Sequence, residues 1–299
     1  MLDRIEKINV EDFEKRYPFN NTIQISRENF QKMLEMKALN YVWLPACPRA
    51  NRITAVFKWY NLDEFMTEHP LNPYYQMDNN WIFSAEDEFF HANSIQDYFP
   101  ANIKATQPFL YNKNERRVVS NHTYQMSLLI ASVMDEIKNV PSEDSLFPKN
   151  HRPMLEKWNA WLYEEVNAKI YQVASMRGNE KAIGCAQLER TYQLLDEYLE
   201  NKDYLYAEQL TETDLRLFNN LVRHELYFKQ FKVFQKPLNT FKYLERYVKR
   251  ILENHPYLLN DLYFKEIRAT HFRSEHNIKK YGYMDEVPSL QTLFPFVKF

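Results

Sequence analysis

The chain has 299 residues, enough for two domains of ordinary size and a substantial core. A net charge of −2 argues against a nucleic-acid polyanion as partner, and two cysteines make no disulfide framework. Three glycines leave little room for glycine-rich phosphate loops, and no apolar run approaches the ~20 residues that span a bilayer.

Residues 1–37 are polar and mixed, and read as an N-terminal extension. Residues 38–137 alternate strand-like and helix-like pieces. Tyr41-Val42-Trp43-Leu44 is apolar and β-branched without helical period, so it reads as a strand. Ala50, Ile53, Val56 and Phe57 then recur at helical spacing. Trp81-Ile82-Phe83 reads as a second strand, followed by a helix-like patch from Asn93 to Phe99. Gln107 to Tyr111 and Arg116 to Val119, joined by a polar turn, predict a β-hairpin. A helix follows, capped by Ser120 or Asn121, with Met126, Leu129, Ile130, Val133, Met134 and Ile137 on its apolar face. This order predicts a thioredoxin-like α/β layer. Residues 138–153 hold Pro141, Pro148 and Pro153 among polar residues and read as a linker. Residues 154–299 read as an all-α bundle. Its sharpest signal is Leu210-Thr211-Glu212-Thr213-Asp214-Leu215, where Thr211 caps, Asp214 reaches back and Leu210 with Leu215 forms an apolar staple.

The chemistry concentrates at Cys47. It stands between the strand at 41–44 and the helix after it, and Pro48 suits the first helical position because its missing N–H would be unpaired there anyway. A thiol at a helix N-terminus faces free backbone N–H groups and the positive end of the helix dipole, a setting that favours thiolate. Cys185 has no such setting and reads as a small buried side chain.

A thioredoxin-like domain, a helix-start cysteine, a proline opening a hairpin strand and an all-helical second domain together resemble a cysteine-type glutathione transferase. The match is closest to the glutathionyl-hydroquinone reductases, or Xi class. Ala46-Cys47-Pro48-Arg49-Ala50-Asn51-Arg52 resembles that family's A-C-P-W-A-H-R. Gln107 to Lys113 and Val118 to Thr123 resemble its hairpin, Val166 to Tyr171 its I-N-x-x-V-Y, and Leu210 to Arg223 its L-T-E-A-D-x-R-L-F-x-x-L-V-R. A last stretch, I-K-R-H-Y-Y-R-S-H, is faintly echoed by Ile267 to Glu275.

The resemblance implies the glutathione transferase fold, with Cys47 as catalytic thiol and glutathione, or another small thiol, as cosubstrate. It implies Pro108 as a cis-proline beside Gln107, with Arg49, His122 and Thr123 also at the thiol ligand. Tyr171, His271 and Phe272 would line a pocket for an aromatic or quinone conjugate. It further implies a homodimer. Two cysteines with no basic-then-apolar leader and no spanning run point to a cytoplasmic setting, and His271 with His276 has poor spacing for a metal site, so none is expected. Four positions depart from the family: Arg49 for tryptophan, His122 for a glutamate that meets the amino group of glutathione, and His271 and Phe272 for a tyrosine pair. Losing that acid is expected to weaken glutathione binding. The reaction expected is reduction of glutathionyl-hydroquinone conjugates. An omega-like thiol transferase or dehydroascorbate reductase and a non-catalytic binding protein of the same fold stay open beside it.

Overall fold

A computed structural model describes residues 1–16, 22–77, 80–91, 93–258 and 261–283. The chain forms two compact units, one of Met1–Tyr17, Ser142–Asp261 and Lys279–Phe299, the other of Pro18–Pro141 and Leu262–Ile278. The break between Pro141 and Ser142 falls inside the proline-marked segment 138–153.

Helices α1 (Leu2–Glu6) and α2 (Val10–Arg16) open the chain and pack in the helical unit, burying Ile5 and Phe13. Helix α3 (Arg27–Glu35) instead packs in the α/β unit, burying Phe30 and Leu34. The expected extension 1–37 is therefore divided between the two units, because each of these short helices carries its own apolar anchor.

In the α/β unit, β1 (Leu39–Trp43) is followed by α4 (Pro48–Trp59), β2 (Met66–Met77), β3 (Asn80–Phe83), β4 (Phe109–Asn112), β5 (Arg117–Ser120) and α5 (Thr123–Ile137). The strands form one five-stranded sheet in the order β3-β2-β1-β4-β5. Strand β2 runs parallel to β1, and β4 antiparallel to it. Sequence reading finds every strand but β2, since Pro70 and Pro73 demote a segment from strand status. The register tolerates them: Pro70 lies opposite Trp43, the last residue of β1, and a register shift follows between Leu71 and Gln76. Strand β1 is buried along its whole length, so it carries no polar alternation. Tyr41 faces α4, donating its hydroxyl to the Ala50 carbonyl at 3.0 Å. Val42 joins Leu71, Phe83, Phe90, Phe99, Phe109 and Tyr111 in an aromatic-rich core.

The helical unit continues with α6 (Arg152–Leu162), a π-turn at Tyr163–Asn167, α7 (Ala168–Ser175), α8 (Gly178–Tyr198), α9 (Glu212–Leu221), α10 (His224–Leu226) with a second π-turn at Tyr227–Phe231, and α11 (Lys242–Asn254). Gly184 lets α7 and α8 touch: a Cβ there would lie 2.7 Å from Val173 Cγ2. Every residue of α9 is buried, polar ones included. Glu212 and Arg216 pair at 2.8 Å with both side chains fully buried, and Asn159 donates to Glu212 at 3.0 Å. Asp214 reaches back to the Thr211 N–H at 2.9 Å and accepts also from Thr211 Oγ1, the Leu205 N–H and Tyr247 Oη at 2.7–2.9 Å. The start of α9 at the Thr211 cap thus matches the sequence expectation.

Helices α12 (Asp261–Arg273) and α13 (Glu275–Tyr281) end the described chain. Although placed by sequence within an all-α domain at 154–299, most of α12 belongs to the α/β unit, where Thr270 Oγ1 donates to the Pro73 carbonyl of β2 at 2.9 Å. Residues 284–299 of that expected domain lie outside the described residues. No helix among the described residues is long and apolar enough to cross a membrane.

Two stability predictions follow from these buried polar groups. Asp214→Ala strips the acceptor from three buried partners and is expected to cost about 3 kcal/mol or more, read as a shift in urea midpoint at unchanged slope. His224 is held among Tyr192, Phe234 and Phe241, with Nε2 2.8 Å from the Lys236 carbonyl. Burial pushes its pKa from 6.5 down to about 4. Below pH 6.5 the unfolded chain takes a proton that the folded one refuses, so this histidine removes roughly 1.4 kcal/mol of stability per pH unit down to about pH 4. Unfolding at pH 7, 6 and 5 is expected to show a shallower acid loss in His224→Phe than in the wild type; identical slopes would contradict the assignment.

Candidate active site at the start of α4

Strand β1 delivers the chain to a tight turn, closed by the Cys47 N–H on the Leu44 carbonyl at 2.9 Å. Cys47 is the N-cap of α4, with extended backbone (φ −80°, ψ 124°) and Pro48 at the first helical position. Its carbonyl receives the first helical bond from Asn51 N–H at 2.9 Å. Pro48 has no N–H, and the N–H groups of Arg49 and Ala50 have no partner within the helix. The first turn carries no acidic side chain. Cys47 is half-buried and packs against the aromatic core of the α/β unit.

Three side chains fix this turn. Tyr41 holds the Ala50 carbonyl, and Asn51 Nδ2 donates to the Pro45 carbonyl at 2.9 Å. Buried Arg52 spans to α5, donating Nη2 to the Thr123 carbonyl at 2.5 Å and Nε to Ser127 Oγ at 3.2 Å. Sequence reading did not assign these three as positioning groups. Their signal was the motif Ala46–Arg52 itself, in which Arg52 matches the family letter while doing structural work.

The peptide bond between Gln107 and Pro108 is cis, as the resemblance implied. Gln107 Oε1 accepts the Leu44 N–H at 3.2 Å, which ties this segment to the turn that carries Cys47. Asn121 Nδ2 donates to Thr106 Oγ1 at 2.8 Å, and its Oδ1 accepts from the Ile23 N–H at 2.6 Å. Asn121 is thereby committed, and Ser120 belongs to β5, so neither caps α5. His122 does so instead: its Nδ1 accepts the Gln125 N–H at 3.2 Å. An Nδ1 that accepts leaves the neutral ring's proton on Nε2. Thr123 is the first residue of α5, and Arg49 is exposed on the first turn of α4.

His271 and Phe272 are both buried, on the part of α12 that belongs to the α/β unit. The compact unit therefore holds Cys47, Arg49, Gln107, Pro108, His122, Thr123, His271 and Phe272, whereas Tyr171 lies on α7 of the helical unit. There Tyr171 is half-buried and meets Tyr227 and Phe231 edge-on, at 6.1 and 6.0 Å between ring centres. Cys185, by contrast, is buried, its Sγ 3.7 Å from the Lys232 carbonyl, and burial pushes its thiol pKa up. No group of three or more His, Cys, Asp or Glu among the described residues is placed to hold a metal ion.

No protein-family model matches the chain. It is 26% identical over 259 residues to the glutathionyl-hydroquinone reductase PcpF of Sphingobium chlorophenolicum, covering 82% of this chain and 80% of that protein. It is 25% identical over 252 residues to the glutathionyl-hydroquinone reductase YqjG of Escherichia coli (strain K12), covering 79% and 75%. The glutathione-bound structure of YqjG superposes with a TM-score of 0.73 at 23% identity, covering 84% of each chain. The glutathione transferase Xi of Phanerochaete chrysosporium gives 0.73 at 23% identity, covering 84% of this chain and 90% of that one. The chain has the glutathione transferase fold, and over about 80% of its length it is similar, at about 25% identity, to the Xi-class, or glutathionyl-hydroquinone reductase, family.

Proposed function

We propose that the protein is a thiol-dependent reductase of glutathionyl-hydroquinone conjugates, acting through Cys47. The observation that carries this reading is a partly buried cysteine at the N-cap position of α4, in the same unit as the cis Gln107–Pro108 bond, in a chain similar to two glutathionyl-hydroquinone reductases. The Cys47 thiolate attacks the sulfur of the conjugate. A sulfur–sulfur bond to Cys47 forms, the bond from sulfur to the ring carbon breaks, and that carbon takes up a proton. A second glutathione then attacks the mixed disulfide, releasing glutathione disulfide and regenerating the thiolate. The sum is conjugate plus glutathione giving hydroquinone plus glutathione disulfide, with electrons balanced.

The first turn of α4 carries no acidic side chain, and Arg49, two residues on, places a positive charge on that turn. The amino end of glutathione fares worse. His122 replaces the family's acid, and its Nδ1 accepts the Gln125 N–H, so it brings no carboxylate to the ammonium. Glutathione is held chiefly by its thiol and carboxylates in this reading. A homodimer is part of the same proposal.

Exposure to glutathione disulfide followed by mass spectrometry of the intact protein is expected to show one glutathionyl adduct, retained in Cys185→Ala and absent in Cys47→Ala. An unreactive Cys47 would favour a non-catalytic binding protein. Turnover of glutathionyl-hydroquinones is expected to fall at least about 1,000-fold in Cys47→Ala. By calorimetry, His122→Glu is expected to tighten glutathione about 10-fold, the scale of one charge-assisted hydrogen bond. Micromolar affinity in the unaltered protein would show the histidine to be harmless.

A further inference from the structure

The helical unit holds a cavity of about 660 Å³, lined by none of the residues assigned to the thiol reaction. That volume is within the range that encloses small ligands. Its walls come from α1, the first turn of α6, the end of α8 and the segment 201–208 that follows it. These walls are fastened. Tyr198, the last residue of α8, donates its hydroxyl to the Leu205 carbonyl at 2.7 Å, and the Leu205 N–H donates to buried Asp214 at 2.8 Å. Asp203 pairs with Arg250 of α11. On the other side, Lys157 of α6 donates Nζ to the carbonyl of Glu6, at the end of α1, at 2.5 Å. The cavity is preformed by these bonds.

Three phenols, Tyr198, Tyr204 and Tyr206, line it together with Glu6, Lys202 and Glu208. The Lys202 ammonium lies over the Tyr198 ring, 5.1 Å from its centre. That is inside the ~6 Å at which a ring face holds a cation. Burial, with Asp214 and Tyr206 nearby, pushes the Tyr198 pKa up to about 12, so the hydroxyl keeps its proton and the ring stays neutral. Arg250 neutralises Asp203, whereas Glu6 and Glu208 are exposed and have no ion-pair partner among the described residues. Two free carboxylates thus stand against one ammonium, and that ammonium is seated on a ring. The cavity already receives an alkylammonium from its own chain and has acceptors left for more.

We infer that this cavity binds an aliphatic polyamine, one ammonium taking the place of Lys202 on the Tyr198 ring and the others meeting Glu6 and Glu208. A ring face and carboxylates are the two groups that recognise an ammonium, the one through its quadrupole and the other through charge-assisted hydrogen bonds. Lys202 is exposed and lies past the end of α8, so its side chain can swing into solvent and yield the ring. Until it does, it competes with the ligand for the same face. An anion such as glutathione meets two like charges here, so the thiol cosubstrate is not the occupant.

Calorimetry of the full-length protein with spermidine at low ionic strength supplies the test. One saturable site with a Kd of about 100 μM or tighter is expected, weakening as salt is added. Glu6→Gln and Glu208→Gln, both at exposed positions, are each expected to weaken binding about 3- to 10-fold. Lys202→Ala clears the ring and is expected to tighten binding at least about 3-fold. Lys236→Ala makes the same change of charge at an exposed position elsewhere on the helical unit, and is expected to leave the affinity unaltered. Equal tightening in the two lysine variants would reduce the effect to net charge and overturn the assignment. So would the lack of a saturable site, a Lys202→Ala protein that binds no tighter, or displacement of spermidine by equimolar Mg²⁺, which brings charge without an alkyl stem. Cys47→Ala is expected to bind spermidine as the unaltered protein does, so this site stands or falls apart from the reaction at Cys47.

Discussion

The constraint on which the α/β unit depends is the immobilisation of the first turn of α4. A thiol gains from a helix N-terminus only if the helix cannot swing or fray, because the favourable field is confined to that turn. Tyr41 from β1, Asn51 onto the incoming loop and Arg52 onto α5 hold the turn from three directions, and Gln107 adds a fourth tie through the Leu44 N–H. The cost is a buried guanidinium and several buried polar groups, each of which must be paired. Here those groups are the fastening itself.

The helical unit solves a similar problem around α9. Its buried carboxylates, Glu212 and Asp214, are enclosed by Arg216, Asn159, Thr211, Leu205 and Tyr247, so a helix with no exposed residue still carries charge. Such a network adds little net stability over a well-packed apolar core, but losing any member leaves a charge or donor stranded. The sequence block that forms it is accordingly the one most exactly shared with the family motif, and its letters do structural work.

Much of this was readable from residue order. The pattern around Cys47 and Pro48 places the thiol at the helix cap, the hairpin flanking Asn112–Asn114 lies where expected, and Thr211 with Asp214 starts α9. What escaped did so for physical reasons. Strand β2 carries two prolines, which weaken a strand assignment unless register is known, and register is a tertiary property. The cap of α5 falls to His122 because Asn121 is drawn off by Ile23 and Thr106, partners 98 and 15 residues away in sequence. Helix α12 follows a helical unit along the chain yet belongs with the sheet, through a bond from Thr270 to Pro73 that no local pattern encodes.

One of the three glycines carries a larger burden than its size suggests. A Cβ on Gly184 of α8 would press into Val173 of α7, two residues beyond Tyr171 on the same short helix. The absence of that methyl group lets the helix bearing the phenol lie close against its neighbour. Evolution could retune the aromatic contact from there without altering any residue that touches it, simply by raising or lowering the shelf on which the helix rests.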